Sequence, residues 1–400
     1  MKIKGFEVQN YKGFRDPQYV ALAPLTLFYG ENSSGKSTLL RLLPWFGESM
    51  EDVRPGPILD GEVTKEALWQ DLAYINSPQH PIKVNIEWSS GHSAAWEFRG
   101  GRLPGSCEIK SVSLVGPNGR WLLEDDGDGT WRGDKSEGVY GLLPYYDDER
   151  WSHSVGCSKS HFRIRTQWLQ GIRTAIPRVE KALATEPNKL SSTGEGVARF
   201  LYHWDRHAQS GEVSRAYKFV LDFFARLGFS LLVTDVAPSF FRIDVAPLDN
   251  PSSATNLVDS GEGLTQVLAP LVALARAIDK SGPDIVCLEQ PELHLHTDAQ
   301  RALAVSIAVA AKAGVQIIIE THSEVLLAAT QLGIANREQN GLCPEDVALY
   351  WVERRQDPVS IAKRVVLDEN GRVGGAWPID AFDEMLQLKG ELLQAQRRRP

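Results

Sequence analysis

Gly30-Glu31-Asn32-Ser33-Ser34-Gly35-Lys36-Ser37-Thr38 matches the phosphate-binding pattern G-x-x-x-x-G-K-[ST] at every fixed position. Its flanks are those the pattern needs. Residues 25–29, Leu-Thr-Leu-Phe-Tyr, read as a short buried strand, and residues 37–43 read as the first turns of a helix. Gly30 and Gly35 let the backbone wrap a phosphate. The N–H groups of Asn32, Ser33 and Ser34 and the helix N-terminus at Thr38 then present partial positive charge to it. In this arrangement Lys36 reaches the β- and γ-phosphates, and the Ser37 hydroxyl is placed to ligate Mg²⁺.

The chain has 400 residues, 42% of them hydrophobic and 24% charged, the composition of a soluble globular protein of one large or two ordinary domains. A formal net charge of -8 argues against a generally basic nucleic-acid coat but leaves room for a local basic groove. Cys107, Cys157, Cys287 and Cys343 are scattered without C-x-x-C spacing. They indicate neither a zinc site nor a disulfide framework, and a cytoplasmic location is expected. No apolar run approaches the length of a membrane span, so no membrane insertion is expected.

Residues 1–8 alternate at period two and read as a half-buried strand, followed by Asn10-Tyr11-Lys12-Gly13-Phe14. An opening of the form strand, N-Y-K-G-F, strand, G-E-N-S-S-G-K-S-T-L-L resembles the RecF/SMC/OLD branch of the ABC-type ATPases, whose cofactors are ATP and Mg²⁺. Between residues 60 and 135 lie short β-prone runs at 82–88, 95–98, 112–115 and 121–123, separated by turn residues. They predict an antiparallel meander. The run from Asp125 to Asp128 lacks the ligand spacing of a calcium loop and reads as a solvated turn. Residues 160–228 read as helical. Trp168, Leu169 and Ile172 form one apolar stripe, Val197, Phe200, Leu201 and Trp204 a second, and Tyr217, Val220, Leu221 and Phe224 a third. Arg163, Arg165, Arg173, Arg178 and Lys181 make the first segment basic, either as a solvated face or as a site for nucleic-acid backbone or an acidic partner. Strands are expected near 230–233 and 240–245.

Val258-Asp259-Ser260-Gly261-Glu262-Gly263-Leu264-Thr265-Gln266 feeds a long apolar helix, again an anion-binding design. It resembles the ABC signature in the G-x-G-x-[ST]-Q form of the OLD-like branch. The resemblance implies that Ser260, Gly261, Gly263 and Thr265 face the γ-phosphate held by another subunit. Asp284-Ile285-Val286-Cys287-Leu288-Glu289 is an apolar strand ending in a carboxylate, the form of a Walker B strand. Glu289 is expected to hold Mg²⁺ through water. The next residue in ABC ATPases is a second carboxylate that polarises the attacking water. Here it is Gln290, which is no base at neutral pH but can orient water. The resemblance includes E-Q-P-E-x-H-L-H as a recurring OLD-like variant, with Glu292 as the alternative carboxylate. His294 and His296 are two apart and do not suggest a metal pair, and Asp298 lies near the dimer-facing loop that the family places here. Residues 315–323 form a further buried strand ending Glu320-Thr321-His322-Ser323. They resemble the family's switch, in which the His contacts the γ-phosphate. Strands are expected at 347–352 and 362–367. Residues 377–384 resemble part of the W-P-x-G-F-F-D-E tail of standalone OLD-like ATPases, ahead of a final amphipathic helix and the solvated Arg397-Arg398-Arg399.

These features predict an α/β fold: a two-lobed ABC-type P-loop ATPase head with an antiparallel β lobe and a short helical insert. Residues 1–140 carry the phosphate loop and meander, 141–250 the helical insert and return strands, and 251–400 the signature, Walker B, His switch and tail. The resemblance implies a homodimer, or a higher oligomer, that sandwiches ATP·Mg. Glu289, Gln290, Glu292 and His322 are the expected catalytic group. The chain after His322 is too short for the nuclease domain of OLD nucleases. A separately encoded effector under its control is therefore expected, as in bacterial anti-phage defence ATPases. A RecF-like protein that binds DNA under ATP control and a non-hydrolysing ATP-locked scaffold are the other readings.

Overall fold

The computed structural model describes residues 2–125, 131–133, 139–144, 154–280, 282–336, 341–375 and 377–378. The Asp126–Asp128 part of the acidic turn, the final amphipathic helix and the terminal arginines lie outside the described residues.

Two seven-stranded sheets form the frame. In the central sheet the order is Thr166–Leu169, Ile285–Glu289, Gln316–Glu320, Leu25–Gly30, Val347–Arg354, Ser360–Leu367, Val373–Gly375. The first five strands are parallel and the last two antiparallel. The apolar runs 285–288 and 317–319 are strands buried on both faces, which is why they read as continuous rather than alternating. The second sheet is the predicted meander. It is antiparallel throughout, in the order Gln18–Ala21, Ile3–Gln9, Ile82–Trp88, Ser93–Gly100, Cys107–Gly116, Gly119–Asp125, Trp131–Gly133.

The phosphate-loop helix Lys36–Glu51 lies between the sheets. Its Leu39, Leu40, Leu42, Leu43, Trp45 and Phe46 pack with Phe28, Ile285, Cys287 and Ile318 on one face of the central sheet and with Trp88, Trp96 and Phe98 of the meander. The alternate residues Leu27, Tyr29, Val286, Leu288, Ile317 and Ile319 face the other way. There they are covered by the helices Val197–Gln209, Arg215–Arg226, Glu262–Ile278, Thr297–Lys312 and Glu324–Ala335. The α/β class, the antiparallel lobe and the short helical insert are as the sequence predicts. No helix among the described residues is long and apolar enough to cross a membrane.

The expected helix over the start of the 160–228 segment is corrected. Residues 166–169 form the edge strand of the central sheet, with Gln167, Trp168 and Leu169 all buried, and Ile172 is 83% exposed. A strand buried on both faces has no period of two, and its short apolar run is easily taken for one turn of a helical stripe. The helices of this segment are confined to 197–226. The arginines do not form one basic face either, since Arg173 is buried and Arg165 hydrogen-bonds the Gly282 carbonyl.

Asn10-Tyr11-Lys12-Gly13-Phe14 has a packing role. Phe14, wholly buried, lies where a side chain at Gly35 would touch its ring at 3.0 Å. Tyr11 stacks on Trp45 of the phosphate-loop helix at 5.6 Å. The hairpin is thus the floor of the loop. Phe14→Ala is expected to cost about 3–4 kcal/mol of unfolding free energy, measured by urea denaturation.

Candidate nucleotide site

The phosphate loop leaves its strand at Gly30, where φ is +142° and an added Cβ would overlap the Val352 carbonyl oxygen of the adjacent strand. Only glycine fits there. Ser33 is left-handed at φ +60°, a conformation few side chains adopt and one that bends the loop back. Gly35, at φ +112°, opens the helix. Lys36 is buried, and its Nζ donates to the carbonyls of Gly30 at 2.9 Å and Glu31 at 2.6 Å. Burial lowers its pKa, with Glu320 and Glu31 opposing. The ammonium is folded back on its own loop and ready to be drawn onto a phosphate. Asn32 and Ser33 are exposed, Ser37 and Thr38 half-buried, and Ser34 is buried with its hydroxyl unpartnered.

The carboxylate of Glu289 stands at the tip of its strand, and parallel pairing sets Glu289 beside Glu320 and Glu320 beside Phe28. Arg41, one helical turn beyond Ser37, grips Glu289 with both ends of its guanidinium, Nε to Oε1 at 2.5 Å and one terminal nitrogen to Oε2 at 2.7 Å. The Trp168 indole N–H donates to the same Oε1 at 2.8 Å, and the Arg41 guanidinium lies 5.2 Å over that indole ring. The two side chains give Glu289 three hydrogen bonds, two on Oε1 and one on Oε2. Glu320 is 8% exposed, neighbours Ser37 and Lys36, and keeps one carboxylate oxygen buried without a partner. Among the described residues no group of three or more His, Cys, Asp or Glu is arranged to hold a metal. The hydroxyl of Ser37 and the carboxylates beside it are hard oxygen donors of the kind that hold Mg²⁺ together with phosphates and waters.

Gln290 is left-handed at φ +40°, its N–H donating to the Glu320 carbonyl at 2.8 Å. Its backbone carbonyl and that of Glu289 accept from the buried Arg173, at 3.0 and 2.9 Å. Burial pushes Arg173 down to about 10. Arg173 also reaches the Gln266 carbonyl and so ties the carboxylate strand to the helix Glu262–Ile278. Glu292 does not point freely at the loop. Its Oε1 accepts the Thr321 hydroxyl at 2.6 Å and the His322 N–H at 3.1 Å. It thus joins the segment after Glu289 to the T-H-S switch. His322 itself is exposed, and partial desolvation, with Lys36 nearby, lowers its pKa, so the imidazole is neutral at pH 7.

The structure therefore brings together the phosphate loop, Glu289, Gln290, Glu292 and His322. The Ser260–Thr265 turn packs instead against His294, whose ring lies 3.8 Å from the Glu262 carboxylate. No hydrogen bond or ion pair among the described residues joins 260–265 to 30–38. Ser260 and Thr265 hydroxyls turn back onto Leu257 and Glu262 carbonyls at 2.6 and 2.7 Å, and a Cβ at Gly263 would lie 2.5 Å from the His294 carbonyl oxygen. Gly261, at φ +104°, is exposed with open space around it.

Four residues at the site are not among those the sequence assigns to it: Arg41, Trp168, Arg173 and Glu320. Arg41 follows Ser37 by four residues, which on a helix places it on the same face, and Glu320 precedes T-H-S directly. A fifth, Gln170, ends the edge strand level with Glu289, since Leu169 pairs with Leu288. Its amide is held between Lys65 and Ser192, each at 2.9 Å.

Burial raises the pKa of Glu292, opposed by hydrogen bonds from Thr321 and His322 and by Arg173. Tyr29 is a further titratable neighbour. A raised carboxyl pKa favours the folded state below the ordinary Glu value, and that advantage is lost as pH rises through the raised value. Glu292→Gln keeps the acceptor oxygen and removes the buried charge. Its thermal midpoint at pH 8 should exceed that of the wild type, and the gap should shrink toward pH 5, read by scanning calorimetry.

Three family models match parts of the chain. Residues 1–94 match an AAA ATPase domain, residues 197–328 an AAA domain described as putative AbiEii toxin, Type IV TA system, and residues 342–392 a protein of unknown function (DUF3696). No curated protein matches. Similar solved structures include the SMC head domain from Thermotoga maritima, at 14% identity and TM-score 0.44, covering 91% of this chain and 99% of that one. They also include an SMC head bound to the C-winged helix domain of ScpA, at 15% identity and TM-score 0.49, covering 92% and 99%. A third is an SMC head domain with an extended coiled coil, bound to the C-terminal domain of ScpA derived from Pyrococcus furiosus, at 12% identity and TM-score 0.46, covering 99% and 100%. ATPases of the AAA kind use ATP and Mg²⁺, and the two AAA models between them take in the phosphate loop, the Ser260–Thr265 turn, Glu289 and His322.

Proposed function

We propose that the chain is an ATP-binding, slowly hydrolysing ABC-type ATPase head of the OLD-like kind, which closes on a second copy of itself around ATP·Mg. The observation that carries this reading is the division of the site. The phosphate loop, Glu289, Gln290 and His322 meet in one chain, while no hydrogen bond or ion pair among the described residues joins the Ser260–Thr265 turn to that loop. A helix N-terminus opening at an exposed glycine is the form of anion site that the second half of an ATP sandwich would supply.

In this reading Lys36 leaves the Gly30 and Glu31 carbonyls for the phosphates. His322, neutral and exposed beside Lys36, donates to the γ-phosphate from one ring nitrogen. Gln290 orients the attacking water, a role open to a carboxamide but without proton abstraction, so turnover is slow. Gln170 and Glu292 position the nucleotide-facing loops. Mg²⁺ bound with ATP would neutralise the phosphate charge, and Ser37 with a carboxylate beside it would hold it.

A dimer that forms with ATP and parts after hydrolysis is a two-state element whose equilibrium the nucleotide sets. We place its output in a separately encoded effector of a defence system. The match of residues 197–328 to a domain described with a toxin–antitoxin system supports that assignment. The burial of Arg173 and the net charge of -8 weigh against the DNA-clamp reading.

Single-turnover hydrolysis with the oligomeric state recorded alongside is the test. Wild type should dimerise with ATP and hydrolyse it, Lys36→Ala should do neither, and Gln290→Glu should raise the chemical rate by at least about tenfold. Wild type that binds no ATP, or binds it without dimerising, would overturn the reading.

A further inference from the structure

Glu320 is a carboxylate that neighbours the phosphate-loop Ser37, yet the phosphate-loop pattern gives it no part. It ends the strand that lies between the Glu289 strand and the loop strand. It is 8% exposed, its neighbours are Ser37, Lys36, Glu289 and Arg41, and one of its oxygens is buried with nothing bonded to it. A buried carboxylate oxygen without a partner is costly, and a second carboxylate alongside adds to the cost. Glu289 is in the opposite condition. Arg41 takes both of its oxygens and Trp168 one of them again, the pairing distances lying between 2.5 and 2.8 Å. To reach a metal, Glu289 would have to release a bidentate arginine pair and leave the guanidinium without its anion over an indole ring.

We infer that Glu320, with Ser37, is the carboxylate that receives the divalent cation of the bound nucleotide, and that Glu289 is a positioning residue held by Arg41 and Trp168. This inference rests on the nucleotide-binding reading above. A cation between Ser37 and Glu320 satisfies the open oxygen and separates the two negative charges. Arg41 meanwhile keeps the end of the Glu289 strand fixed to the phosphate-loop helix. Hard oxygen ligands, one hydroxyl and one carboxylate completed by phosphates and water, are the set that Mg²⁺ and Mn²⁺ accept.

The test uses the full chain with Mn²⁺ and a non-hydrolysable ATP analogue. Free Mn²⁺ is followed by electron paramagnetic resonance, and analogue affinity is measured separately in EDTA. Glu320→Gln should weaken Mn²⁺ retention in the analogue complex by at least about tenfold. In EDTA the same variant should bind the analogue more tightly than wild type, because a negative charge beside Lys36 and the phosphates is gone. These opposite signs would not come from a merely structural role. Glu289→Gln should change Mn²⁺ retention by less than about threefold while lowering the thermal midpoint, and Glu320→Asp should recover part of the Mn²⁺ affinity. Mn²⁺ loss in Glu289→Gln without loss in Glu320→Gln would overturn the inference, as would parallel weakening of both affinities in Glu320→Gln. Wild type that binds no analogue under either condition would overturn the nucleotide reading itself.

Discussion

Parallel pairing of neighbouring strands is the constraint on which the site depends. It brings Gly30, Glu320 and Glu289 to one edge of the central sheet, with Gln170 following at the tip of the edge strand. That edge is where ligands bind in open α/β sheets. Pairing also forces like charges together, since Glu289 and Glu320 are register partners. The structure answers with cations from the element that starts at the same edge. Lys36 opens the phosphate-loop helix and Arg41 lies little more than a turn farther on. One carboxylate is neutralised by a bidentate arginine, and the other is left with an open oxygen beside the loop hydroxyl.

The helix that supplies these cations is itself fixed from below. Phe14 lies under Gly35, Tyr11 stacks on Trp45, and the Leu39 to Phe46 face is buried between the two sheets. Close packing of this kind holds the loop in a left-handed bend at Ser33 that an isolated peptide would not keep. The short N-terminal hairpin therefore belongs to the nucleotide site as its support, without touching a phosphate.

Communication away from the loop runs through two side chains. Glu292 bonds Thr321 and the His322 N–H, so the segment after the carboxylate strand and the switch move as a unit. Arg173 bonds the carbonyls of Glu289, Gln290 and Gln266, so that unit is joined to the signature helix. The Ser260–Thr265 turn at the start of that helix is thus linked by hydrogen bonds to the strand tip at Glu289 and Gln290.

Much of this was legible in the sequence because its parts are contiguous. A phosphate loop is nine adjacent residues with fixed backbone demands, and the apolar runs at 285–288 and 317–319 with polar tips name their strands directly. His322 and the signature turn were likewise visible as local patterns. What stayed hidden is set by contacts between distant residues. Arg41 and Glu289 are 248 positions apart and Trp168 and Glu289 121 apart, and nothing local marks either pair. The edge strand 166–169 was misread because burial on both faces erases the alternation that identifies a strand. Sequence alone named the residues expected to meet a phosphate, since that pattern is written in the local backbone. Only the tertiary structure decided which carboxylate is held by a cation of the chain and which keeps an open oxygen, because that depends on side chains converging through space.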